Sequence, residues 1–390
     1  MMDLLGMGIS ASVIGIGIIL GGIEWHYGRR QGNNLSVNQG VWSHEIDTPN
    51  HHRFTGQLDL YNLTRKLEIM VPEVTAAIQL LADGSLEGIK TSVTVTPCHP
   101  DEPARADGYW FAYIIKVGKS TQIRVTIDIN GSDLQTLKAC WLQLTYITYG
   151  PEGRIPKRKD IVIPMQFPPL PISQNWRMTS AGKVLPIKTH LLSPLDSPVE
   201  VVRRYVLPHA QPGDVVTIGE SPIAIMQGRW HHPTTLKPGW VAKRLCYYFL
   251  PTSSLATACG LQSLVDIVGS WRVVLAFIGG VIARGFGYHG MFYQLAGEQA
   301  RLIDDVTGTL PPYDQFIVLG PENSQKVVDE IQRETGLPAA IVDVNDLKAV
   351  KILAASQGVS HGFLKQCLIS NPAGNANEQT PVVLLRPSTS

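Results

Sequence analysis

Carboxylates gather in two places in this chain. Between Ala296 and Pro312 the sequence packs Glu298, Asp304 and Asp305 with Gln299, Arg301, Thr307 and Thr309, between small residues and a double proline. A second acidic knot, Asp343-Val344-Asn345-Asp346, follows the apolar pair Ile341-Val342. Hard divalent cations prefer oxygen ligands. The two knots therefore point to a cation site, with Glu298, Asp304, Asp305, Asp343 and Asp346 as candidate ligands. A solvated loop also accounts for Asp304-Asp305, and a helix N-cap for Asn345 or Asp346. Neither explains Asp343. A third polar cluster is Ile218-Gly219-Glu220-Ser221, with Gln227-Gly228-Arg229 beyond it. Polar groups at the carboxyl end of a buried strand form ligand sites in α/β sheets; a simple strand-to-turn transition is the alternative. Lys188 and His190 sit on a polar turn nearby and are either binding or surface residues.

Other chemistries lack their signatures. There is no Gly-x-Ser-x-Gly elbow, no Walker sequence and no His-Glu-x-x-His. Gly285-Phe286-Gly287-Tyr288-His289-Gly290 has the wrong spacing for a dinucleotide loop. Cys98, Cys140, Cys246, Cys259 and Cys367 are far apart, which suits buried free thiols in a reducing compartment. His51-His52 and Cys98-His99 have no partners at ligand spacing in the sequence. The net charge of +1 gives no reason to expect nucleic acid as a partner.

At 390 residues the chain is long enough for two or three domains. Leu4 to Ile23 is apolar apart from Ser10 and Ser12, a length suited to crossing a bilayer. A cleaved signal peptide fits poorly, since Asp3 precedes the run and no Ala-x-Ala site follows. Arg29 and Arg30 after the run place the main body on the cytoplasmic side of a single-pass anchor. The polar stretch Gln31 to Gln39 reads as a linker. Alternating segments follow: Gln57–Tyr61, Lys66–Val71, Thr91–Val95, Gln122–Ile129 and Trp141–Ile147. Period-two alternation between turn signals predicts an immunoglobulin-like β-sandwich.

A proline-rich connector, Pro164 to Pro171, ends that region. Ser197-Pro198-Val199-Glu200 reads as a helix start, Ser324 opens another helix closed by Gly336, and Ala340-Ile341-Val342 reads as a strand. Leu347 to Ser356 reads as a helix, and the tail after Asn371 as flexible until a last strand at Val382–Leu385. Helix and strand alternate, so the class is α+β: a transmembrane helix (1–30), a β-sandwich (31–170) and a mixed α/β domain (171–390). Val273 to Ile282 is apolar but too short to span a bilayer; core burial and a seat on the membrane surface both stay open.

From about Leu185 to Arg386 the sequence resembles the gamma-glutamyl ligase of the deazaflavin coenzyme factor 420. The resemblance rests on Pro186-Ile187-Lys188-Thr189-His190, on Pro212-Gly213-Asp214-Val215-Val216-Thr217-Ile218 leading to Gly228-Arg229, on Ala296-Gly297 with its acids, and on Ile341-Val342-Asp343. It is similar to a membrane-anchored branch carrying Ala-Gly-Glu-Gln and Ile-Asp-Asp-Val-Thr-Gly-Thr. The resemblance implies a homodimer, GTP and Mg2+ or Mn2+. It implies amide formation to L-glutamate, through a carboxylate activated as an acyl phosphate. Asp343 then takes a metal aspartate's place, and Glu298, Gln299, Asp304 and Asp305 compete for the other. Lys188, His190, Glu220, Ser221 and Arg229 are the expected nucleotide- or substrate-binding residues. Two lysines of the family pattern are replaced, by the stretch Gly219-Glu220-Ser221 and by Ile225. Two functions remain: a metal- and nucleotide-dependent ligase, or a non-catalytic membrane-tethered binding protein on the same fold.

Overall fold

The computed structural model describes residues 15–27, 32–170, 175–304, 310–344, 349–374 and 378–388. Leu4 to Ile14 of the expected anchor, with Arg29, Arg30, Asp305 and Asp346, lies outside them. Residues 15–27 form a helix, α1, whose Ile16, Ile18, Ile19, Leu20 and Trp25 are exposed. Among the described residues no single helix is long and apolar enough to cross a membrane. The chain divides into two compact units: Met1–Ile78, Glu87–Leu134 and Leu142–Asp160, then Gln79–Leu86, Gln135–Trp141 and Ile161–Ser390.

The N-terminal region is built of strands. These are β1 (Leu35–Val37), β2 (Val41–Thr48), β3 (His51–Asn62), β4 (Ile69–Ala82), β5 (Lys90–Cys98), β6 (Tyr113–Ile115), β7 (Ser120–Asn130), β8 (Leu137–Gly150) and β9 (Gly153–Pro164). One sheet runs β1-β3-β7-β5 with β2 on β3; the other runs β6-β4-β8-β9. Leu58 and Leu60 on β3 and Ile123, Val125, Ile127 and Ile129 on β7 are fully buried, while their neighbours are not. That period of two follows from the pleat. It is why four of the alternating segments fall wholly in strands, while Lys66–Val71 enters β4 only from Ile69.

The second unit continues with β10 (Arg177–Met178), β11 (Gly182–Ile187), α2 (Pro198–Tyr205), β12 (Val215–Gly219), α3 (Glu220–Met226), β13 (Trp230–His231) and α4 (Trp240–Leu245). Then come α5 (Ala258–Val268), α6 (Ser270–Gly285), α7 (Met291–Ala296), α8 (Gln299–Leu302), β14 (Ile317–Val318) and α9 (Ser324–Thr335). It ends with β15 (Ala339–Val344), β16 (Val350–Ala355), α10 (His361–Leu368) and β17 (Val382–Pro387). Its main sheet has the order β10-β11-β17-β12-β15-β16. Only β12 and β15 pair in parallel; the other pairs are antiparallel.

Both faces of this sheet are covered. Ile218, Ile341 and Leu384 pack with Val202 and Tyr205 of α2 and Ile331 of α9. Val215, Val342 and Val383 pack with Leu364 and Cys367 of α10 on another face. Central strands covered on both sides need continuous apolar runs. Val382–Leu385 and Val215–Ile218 are such runs, with Thr217 as the one hydroxyl; it donates to the Val383 carbonyl at 3.2 Å.

Two readings of the sequence need correction. Residues 350–355 are a strand, β16, antiparallel to β15, where a helix over Leu347 to Ser356 was expected. Val350 and Ile352 pack with one cluster and Leu353 and Ala354 with the other, so both faces are apolar and helical spacing cannot be told from a buried strand. The helix start read at Ser197 holds, since Ser197 is the N-cap of α2 and Pro198 its first residue, although the serine side chain makes no cap and Glu200 accepts from Arg203 at 2.6 Å. The described part of the tail after Asn371 is not loose: Gln379 accepts from the Thr189 N–H, and Pro381 from the Gly219 N–H.

One buried ion pair fastens the last strand. Arg386 on β17 donates to both oxygens of Asp214 (2.8–3.3 Å) and to the His209 carbonyl at 3.0 Å, and stacks over Trp176. Asp214 is 1% exposed and also accepts from the Gln211 N–H, closing the turn into β12. Removing one partner of a buried pair leaves the other charge uncompensated. Asp214→Ala should therefore cost about 3 kcal/mol in urea unfolding, whereas Arg203→Ala, which loses two exposed pairs, with Glu200 and Glu334, should cost about 1 kcal/mol or less.

Candidate functional site

Parallel pairing of β12 and β15 sets Gly219 beside Val342. Each strand is followed or closed by an acid. Glu220 begins α3 directly after β12, and Asp343 is the next residue of β15. A third acid comes from a different part of the chain. Asp304 exchanges two backbone hydrogen bonds with Val318, both 2.8 Å, which fixes it against β14. The three side chains line one cavity of about 810 Å³. Ser221 completes the group, its hydroxyl donating to Asp304 Oδ2 at 3.1 Å.

This cluster carries more negative charge than its surroundings balance. Burial pushes the Glu220 carboxyl up to about 9; Asp343, Asp304 and Glu298 add to the rise, and Lys351 opposes it. Burial likewise raises Asp304, with the Ser221 hydroxyl working against the rise and Asp343 reinforcing it. Burial raises Asp343 too, and Lys351 opposes. Glu220 Oε2 is enclosed and, among the described residues, has no hydrogen-bond partner. Buried carboxylates without partners either take up protons or bind a cation.

The expected site residues divide into groups. Glu220, Ser221, Asp304 and Asp343 all line the cavity. Asp305 and Asp346 lie outside the described residues. Glu298 is exposed and pairs with Lys351 at 3.3 Å; it acts on the cluster from a distance. His190 also lines the cavity, but both ring nitrogens are engaged, with Tyr205 Oη at 2.7 Å and Asp196 Oδ1 at 2.8 Å. It braces the wall instead of facing a ligand. Lys188 is exposed and is not on the cavity. Arg229 is a loop clamp: it donates to the Gly320 carbonyl at 2.7 Å and pairs with Glu322. Gln299 reaches the Pro321 carbonyl instead of the cluster.

Two contributions were missed in the sequence. Lys351 pairs directly across β15–β16 from Asp343, but reading that segment as a helix hid the register. The wall formed by Asn371, Gly374, Gln379 and Thr380 sits in the tail that was read as flexible. Ile225, which stands where a lysine was expected, is buried beside Trp230 and Phe316. Among the described lining residues Arg301 is the one lysine or arginine.

Histidines of the other unit also differ from expectation. His51 and His52 point to opposite faces of β3. His51 pairs with Asp128 at 2.8 Å. His52 lies 3.0 Å from His44 and 3.2 Å from Asp47, so it does have neighbours at ligand spacing. His99 stacks on Tyr113 and bonds to Thr121, a structural environment.

The family model for the N-terminal Ig-like domain of F420-0:gamma-glutamyl ligase matches residues 36–167. This supports a relationship to those ligases. The β-domain, expected to be an addition outside the resemblance, is the part that carries the match. Comparison with the curated proteins gives no match. Among solved structures, the GAE domain of GGA2p from Saccharomyces cerevisiae is 10% identical, covering 34% of this chain and 93% of its own, with a TM-score of 0.21. A protein from Archaeoglobus fulgidus is 10% identical, covering 35% of this chain and 100% of its own, with a TM-score of 0.22. Likeness of this degree is too slight to bear on function.

The raised Glu220 has a consequence for stability. An acid whose folded pKa lies above its unfolded value favours folding while protonated, and that contribution is lost as pH rises from about 4.5 towards about 9. Glu220→Gln removes the loss. In the absence of divalent cations it should raise the melting temperature by roughly 2–4 °C at pH 8 and leave it unchanged at pH 4, as read by calorimetry.

Proposed function

We propose that the second unit is a divalent-cation site serving amide-forming ligase chemistry, the joining of an acid to an amino acid, related to that of the gamma-glutamyl ligases. The observation that supports it most is the convergence of Glu220, Asp304 and Asp343 on one cavity. The donor set suits Mg2+ or Mn2+: oxygen ligands only, one carboxylate oxygen enclosed without a partner, and a charge excess that a dication would offset. When bound, such an ion polarises oxyanions and screens their charge.

The chain's own residues divide the remaining work. Asp304 and Asp343 are the principal ligands and Glu220 the third. Ser221 holds Asp304 in place. Lys351, paired with Glu298, moderates the charge of Asp343. Arg301 receives the anionic end of a substrate at the cavity mouth. The residues fit a nucleotide less well. Lysines that would meet phosphate are replaced, Ile225 is buried, and among the described lining residues Arg301 is the one cationic side chain for a triphosphate. That same observation favours a second reading, a non-catalytic binding protein on the ligase fold.

We also place the apolar run Leu4–Ile23 in a bilayer with the body on the cytoplasmic side, as Arg29 and Arg30 suggest, and carry over a homodimer from the resemblance. Titration calorimetry of the full chain should give one Mn2+ per chain, weakened at least tenfold, or about 1.4 kcal/mol, by Asp304→Asn or Asp343→Asn. Millimolar GTP added to the Mn2+ form separates the two functions: binding with turnover in the presence of amino acids favours the ligase, and no binding favours the second reading.

A further inference from the structure

We propose that the α4–α7 lobe carries a second membrane contact, a surface that lies on an anionic bilayer and does not cross it. Helix α6 has apolar residues on two sides. Val273 and Ala276 are buried, and Gly280 packs closely on Phe292. Another stripe, Trp271, Leu275, Ile278 and Ile282, runs at helical spacing and is exposed. Trp271 is 81% exposed. Tyr247, Tyr248 and Leu250, just after α4, are also exposed. Contiguous apolar surface of this kind marks an interaction site.

Charge names the partner. Between residues 236 and 297 the sequence carries Lys237, Lys243, Arg244, Arg272 and Arg284, all exposed, against a single acid, Asp266. Aromatic, aliphatic and basic residues together are the composition of an interfacial helix on anionic lipid. A partner surface of protein would demand no such bias. The lobe does not cross the bilayer, because α5 is committed to the core: Leu261, Leu264 and Val265 are buried. Gly269, at φ +86°, turns the chain so that α5 and α6 meet at 112°. That bend lays α6 along the outside of the lobe.

Tryptophan quenching tests the contact on the full chain. The protein is mixed with vesicles of phosphatidylglycerol and phosphatidylcholine brominated near the glycerol end of one acyl chain. Quenching should fall in Trp271→Tyr by roughly the share of one of the eight tryptophans. It should fall equally in Leu275→Glu/Ile278→Glu, whose two sites are exposed and leave the fold intact. If the chain floats with vesicles and these variants quench as the wild type does, the surface proposal is overturned and the N-terminal anchor stands. If the chain does not float at all, both fall. Protection of Trp271 by self-association in vesicle-free solution, with no lipid quenching, would assign the face to a second copy and also overturn it.

A different observation carries a second proposal. We infer a zinc site at His44, Asp47 and His52 on the β2–β3 hairpin. A register shift between His44 and Ile46 makes Glu45 the extra residue of a bulge. Without it Glu45 would stand opposite Phe54; with it His44 does, on the face shared by Asp47 and His52. Bulges re-aim side chains in this way. His44 stacks on Phe54 at 4.2 Å, which fixes its ring. One ligand atom from each residue lies within 4.8 Å of the others. Two imidazoles and a carboxylate at these separations suit a tetrahedral ion with a water in the fourth position. Zinc titration of the full chain should show one equivalent that disappears in His44→Ala and in His52→Ala and persists in Asp304→Asn. Equal stoichiometry and affinity in the wild type and both histidine variants would overturn the site.

Discussion

Parallel pairing of β12 with β15 is the constraint on which the site depends. It is the one parallel contact in an otherwise antiparallel sheet. Two carboxyl ends therefore lie side by side, and Glu220 and Asp343 arrive at the same cavity although more than a hundred residues of sequence separate them. The sheet that enforces this is buried on both faces, so its register cannot slip without exposing apolar side chains to water. Stability spent on the sheet is what holds like charges together. Charges so placed repel, and the chain accepts that cost where a cation would remove it.

Arg386 extends the same logic to the edge of the core. It ties β17 to the turn before β12 through Asp214, so the strand between β11 and β12 is fixed at the end remote from the acids. At the other end the Pro381 carbonyl takes the Gly219 N–H, and the tail becomes cavity wall. The cavity is thus enclosed by late sequence folded back on early sequence, an arrangement no local pattern announces.

The sequence made some of this legible and hid the rest for physical reasons. Asp343 stood out because an acid directly after Ile341-Val342 has no structural excuse. Glu220 and Ser221 stood out because they directly follow a buried strand. The strands of the first unit were readable because one face of each is wet, which imposes a period of two. Residues 350–355 were not readable because both faces carry apolar side chains, and Lys351 was lost with them. His190 looked like a ligand group because sequence cannot show that Tyr205 and Asp196 occupy both its nitrogens. The histidine cluster was missed because one bulge residue, Glu45, decides which side chain joins Asp47, and no spacing rule contains it.

The central claim is that Glu220, Asp304 and Asp343 form a cation site. Electron paramagnetic resonance of Mn2+ mixed with the full chain tests it directly. The account predicts that one equivalent of the free-ion signal is lost with the wild type and recovered with Asp343→Asn. A signal that the protein leaves unchanged, or that both proteins reduce equally, would contradict it.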